Sequence, residues 1–69
     1  MVFSMYRKLK ELRKKKGYTV LDMANKLNIS TAYYSQLENR RRKLSYEQAV
    51  EIAKIFKKKP DQIFFIEHE

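Results

Sequence analysis

The chain has no cysteine and a single histidine, His68, so a disulfide framework, a zinc finger and a cysteine nucleophile are all excluded by inventory. Glycine and proline occur once each, at Gly17 and Pro60. A β-sandwich or barrel needs a turn residue every 8 to 12 positions or so, which argues against all-β architecture. No apolar run approaches the roughly 18 residues of a membrane span, and no N-terminal apolar stretch ends in a small-residue cleavage site. These absences predict a cytoplasmic, reducing setting with no membrane partner. Sixty-nine residues fit one small domain, expected to occupy 1–69 with its core in 4–66 and to hold by packing alone.

Acidic residues are also scarce where basic ones gather. Residues 1 to 44 hold twelve basic and three acidic side chains, a net of +9, whereas residues 45 to 69 hold four and five, a net of −1. The whole excess of positive charge therefore belongs to the first two thirds of the chain, a one-sided field that attracts polyanions, with nucleic acid as the leading partner.

Helical periodicity accounts for most of the chain. Met5, Leu9, Leu12 and the stem of Lys16 share one face of a first helix, with Ser4 as its cap and Gly17 as a left-handed stop behind a basic last turn. Thr19 stands three residues before Asp22, a capping box that opens a short second helix from Val20 to about Leu27, with Tyr18 and Met23 as its staple and Asn28 tolerating the left-handed end. Ser30 caps a third helix, Thr31 to about Asn39, stapled by Ile29 and Tyr34. At about 100° per residue Tyr33, Tyr34, Leu37 and Glu38 fall on one side. Thr31, Ala32, Ser35, Gln36 and Asn39 fall on the other, a small, polar, uncharged face suited to close approach to another surface. Arg40-Arg41-Arg42-Lys43 follows as a basic loop. Ser45 and Gln48 make a second capping box, opening a fourth helix whose stripe comprises Tyr46, Ala49, Val50, Ile52, Ala53 and Phe56. Pro60 begins a last short helix through Ile63 and Phe64. The expected class is all-α, with five helices.

With these residues in register, the chain resembles the lambda-repressor-like (Cro and phage-repressor, XRE-type) helix-turn-helix family. The resemblance rests on Leu12-Arg13, Gly17-Tyr18-Thr19, Met23-Ala24, Leu27, Ile29-Ser30, Leu37-Glu38-Asn39, Ala49 and Ile52-Ala53, which fall at the family's spacings without a gap over Leu9 to Phe64. It implies a compact five-helix DNA-binding domain with its helix-turn-helix at 19–39, the third helix entering the major groove of double-stranded DNA. By position it implies base reading by Thr31, Ala32 and Gln36, with Ser35 close by. Gln36 suits adenine, Thr31 either kind of base, and Ala32 a thymine methyl. Ser30 and Asn39 match phosphate-touching positions, Tyr33 lies at the flank, and Arg40, Arg41, Arg42 and Lys43 are expected on phosphates, with Lys14 or Lys15 possible from the first helix. Arg13 and Glu38 match a pair that forms an internal salt bridge in relatives. Three positions depart from the pattern: Val20 replaces a phosphate-gripping Gln, Arg40 a common glycine, and Lys58 an apolar residue.

The resulting expectation is a sequence-specific DNA-binding transcriptional regulator, a repressor, encoded by a prokaryote or phage. A single copy reads only a few base pairs, so a homodimer on a palindromic operator is expected, with half-sites about 34 Å apart. Ile55, Phe64, Phe65 and Ile66 are the expected dimer surface. The alternative is an antitoxin or adaptor-type protein-interaction module of the same fold, whose partner would be a toxin or an anti-repressor. An enzyme is not expected: Asp22, Glu47 and Glu51 occupy capping or surface positions, and no nucleophile, base and orienter can be combined. No cofactor or metal is called for.

Overall fold

In the computed structural model of the chain, residues 6 to 64 are described. They form α1 (Arg7–Lys15), α2 (Val20–Leu27), α3 (Thr31–Glu38), α4 (Tyr46–Ile55) and α5 (Pro60–Phe64), with no strand among them. Met5, Phe65 and Ile66 lie outside the described residues, as does Ser4, the expected cap. The described start of α1 follows Tyr6, which offers no side-chain cap.

Two helix starts are fixed by reciprocal capping. The Thr19 hydroxyl accepts from the Asp22 amide at 3.0 Å, and the Thr19 amide donates to Asp22 Oδ2 at 2.8 Å. Those bonds hold the Asp22 carboxyl below its ordinary value, the Thr19 amide contributing most. Ser45 and Gln48 repeat the arrangement at α4, each bond 3.1 Å long.

The first four helices end in one way. At Gly17, Asn28, Arg40 and Lys57 the chain turns through positive φ, between 56° and 77°. The next amide then reaches back five residues: Tyr18 to Arg13, Ile29 to Ala24, Arg41 to Gln36 and Lys58 to Ala53, all within 3.0 Å. This motif satisfies carbonyls that a helix end leaves without partners.

α2 and α3 pack on one another, and α5 closes against α1 and α4. Leu9, Met23, Tyr34, Leu37, Ile52 and Ile63 are almost wholly buried, with Ala24, Ala49 and Ala53 as small residues between them. Each large apolar side chain buried this way contributes roughly 1.5–3 kcal/mol, and with no disulfide available this burial holds the fold.

Three expectations are corrected. Lys16 is exposed, and the inward position near the end of α1 belongs to Arg13, only 8% exposed. Tyr46 is 71% exposed rather than part of the α4 stripe, because it sits in the first turn at the stripe's edge. Phe64 is a core residue and not an open dimer surface. It is 4% exposed, and its ring meets Tyr6 edge-on with centroids 4.9 Å apart.

Candidate nucleic-acid interface

α3 is held from behind. Tyr34, Leu37 and Glu38 are buried, and Glu38 receives Arg13 in a forked pair: Arg13 Nε lies 3.1 Å from Oε1 and Arg13 Nη2 lies 3.2 Å from Oε2. Arg13 Nη1 also donates to the Tyr18 carbonyl at 3.0 Å, so one guanidinium joins α1, the turn before α2, and α3.

The opposite side of α3 faces outward. Thr31 and Ala32 are exposed, and Ser35 and Gln36 are half-buried beside them, so the four expected reading residues come together on one face. Ser30 Oγ accepts from the Tyr33 amide at 3.0 Å. A hydroxyl that accepts keeps its own proton to donate, which leaves Ser30 able to cap the helix and touch an anion together. Val20, in place of a polar residue, is half-buried and packs against the core.

At the far end Asn39 Nδ2 donates to the Ser35 carbonyl at 2.9 Å, tying that amide to the helix terminus. The basic loop then folds back over Gln36, whose carbonyl accepts from the Arg41 amide at 2.8 Å and the Arg42 amide at 3.3 Å. Arg40 lays its guanidinium over the Tyr6 ring, 4.8 Å from the centroid, and the Tyr6 amide donates to the Glu38 carbonyl at 2.9 Å. Arg41, Arg42 and Lys43 are exposed. With Tyr6, Arg40 and Leu44 they line an open hollow of about 270 Å³ beyond the end of α3.

Tyr33 is placed differently from its neighbours. It is half-buried, its hydroxyl accepts from Gln48 Nε2 at 2.7 Å, and Arg42 covers its ring at 5.1 Å. Gln48 and Tyr6 are therefore parts of this surface that the sequence did not mark. Gln48 reads as a capping residue, and the cap occupies only its Oε1. Among the described residues no group of His, Asp or Glu could hold a metal, and no helix is long and apolar enough to cross a membrane.

A two-helix turn unit set in a five-helix globule, with an uncharged outward face flanked by a run of cations, defines a helix-turn-helix protein. The helix-turn-helix family model matches residues 9–63, and the chain belongs to that family, the XRE-type, lambda-repressor-like DNA-binding regulators; it is not an enzyme. The crystal structure of the clp gene regulator ClgR from C. glutamicum is similar, with a TM-score of 0.75 and 23% identity over 88% of this chain and 79% of that one. At that identity the likeness is one of fold. No curated protein sequence matches the chain.

Proposed function

We propose that the protein is a sequence-specific repressor that binds double-stranded DNA as a homodimer in the cytoplasm of a prokaryotic cell. The observation that carries this reading is the outward face of α3, small and uncharged in a chain of net charge +8, lying beside the loop Arg40 to Lys43. The major groove is about 12 Å wide and admits a helix carrying such short side chains. Thr31, Ala32, Ser35 and Gln36 meet base edges, while Ser30, Asn39, Arg40, Arg41, Arg42 and Lys43 hold the phosphates on either side, with Tyr33 at the flank. Repression follows by occupation of a promoter.

Two copies on a palindrome supply the length of sequence that one cannot read. Ile55, half-buried on α4, together with Phe65 and Ile66 makes the surface between copies. Sedimentation compares the chain with Phe65→Ser: a dimer that the substitution turns into a monomer supports this surface, and an unchanged mass excludes it.

Selection of bound duplexes from a random library tests the main reading. Gln36→Ala is expected to lose about 1–3 kcal/mol of discrimination at one base pair, whereas Arg41→Ala weakens binding to every sequence alike. Failure to enrich any duplex over a random pool would sink the proposal and favour a protein partner on the same face.

A further inference from the structure

The reading face contains one contact that neither phosphate binding nor helix capping requires. Arg42 Nε donates to Gln36 Oε1 at 3.1 Å, across six residues and a turn that is not helical. Arg42 is itself braced: its guanidinium lies 5.1 Å from the centre of the Tyr33 ring, and Gln48 Nε2 anchors the Tyr33 hydroxyl at 2.7 Å. Its amide, with that of Arg41, is bonded to the carbonyl of Gln36. The loop thus grips Gln36 by main chain and side chain together.

We propose that Arg42 is a specificity-determining positioning residue, which fixes the Gln36 amide for base reading in addition to any charge it offers to phosphate. This rests on the DNA-binding reading given above. The chemistry is directional. A carboxamide has an accepting end and a donating end that are nearly alike in shape, so an untethered glutamine can present either one to a base edge. A guanidinium only donates, so it bonds to the oxygen alone and sets which end turns toward the loop. The Nε2 hydrogens are left for the groove, where they suit an acceptor such as a purine N7. Tethering also removes, before binding, rotamer freedom that a long side chain otherwise loses on the DNA.

A lysine at position 42 retains the positive charge but lacks the planar fork that reaches Gln36 while lying on Tyr33. The test uses the full chain and the duplex that it selects from a random library, with each base pair varied in turn and the salt dependence measured. Arg42→Lys is expected to lower discrimination at the Gln36 base pair about tenfold and to leave the slope of log K against log salt unchanged. Lys54→Arg, at an exposed cation of α4 to which no contact with DNA is assigned, is expected to leave both as they were. In a Gln36→Ala background Arg42→Lys is expected to change discrimination no further, because the two residues act through one bond. Wild-type discrimination in Arg42→Lys, or an even loss over all duplexes, overturns the assignment while leaving DNA binding intact. If the unaltered chain selects no duplex, the functional reading fails and this inference goes with it.

Discussion

Tyr34 is wholly buried in α3, yet its hydroxyl has no hydrogen-bond partner although it lies within the influence of Arg13 and Glu38. A buried hydroxyl gives up its hydration, and here Arg13 and Glu38 approach it without a hydrogen bond of good geometry. Tyr34→Phe is therefore expected to leave the melting temperature unchanged or to raise it. Burial, and after it the charge of Glu38, pushes the phenol well above its ordinary value of 10.0. The stability linked to this neutral phenol is fully present below pH 10 and declines as the pH climbs from there toward the much higher folded value. Thermal melts at pH 8 and pH 11 should show a shallower alkaline loss in Tyr34→Phe than in the unaltered chain. Glu38 differs, because removing it strands a charge. Glu38→Ala leaves Arg13 buried without its carboxylate and is expected to cost about 3 kcal/mol in urea unfolding; a midpoint equal to that of the unaltered chain would retire the pair as a structural element. The family's spacing named both partners of this pair. No spacing rule points from Gln36 to Arg42, since the turn between them has no fixed period.

At the level of the helices, the starts were more legible than the stops. Both capping boxes can be read directly, since a hydroxyl and its partner three residues later have one local geometry. Gly17 and Asn28 mark their own turns by being the residue types that tolerate positive φ. Arg40 and Lys57 adopt the same conformation without that tolerance, and the amides that follow them, Arg41 and Lys58, bond back to the Gln36 and Ala53 carbonyls. Lys57→Gly is thus expected to stabilise the protein by about 0.5–1 kcal/mol, seen as a rise of a few degrees in melting temperature. Arg40→Gly relieves the same backbone but removes the guanidinium from the Tyr6 ring, so its gain is expected to be smaller. The burial of Phe64 escaped sequence reading for a related reason. Nothing in an aromatic-rich tail says that Tyr6, more than fifty positions away, supplies the ring against which it packs.

Over the whole molecule the charge distribution becomes a measurable binding property. If about six phosphates are neutralised per copy, log K should fall against log salt with a slope near −5, at about 0.9 per phosphate. Fluorescence anisotropy on one duplex between low and moderate salt measures it, and affinity indifferent to ionic strength contradicts a phosphate-gripping loop. Architecture, helix order and outward face were all accessible from the sequence because hydrophobic period and capping agree along the chain. The braces behind that face were not, since they join residues distant in sequence: Tyr33 to Gln48, and Tyr6 to Glu38. Finally, α3 separates its duties around its axis. Tyr34, Leu37 and Glu38 serve the interior, and positions 31, 32, 35 and 36 contribute little to it. If the outer four read bases as proposed, they form an exchangeable cassette: new operator preferences could be grafted there without rebuilding the protein, provided that whatever replaces Gln36 is chosen together with its companion at position 42.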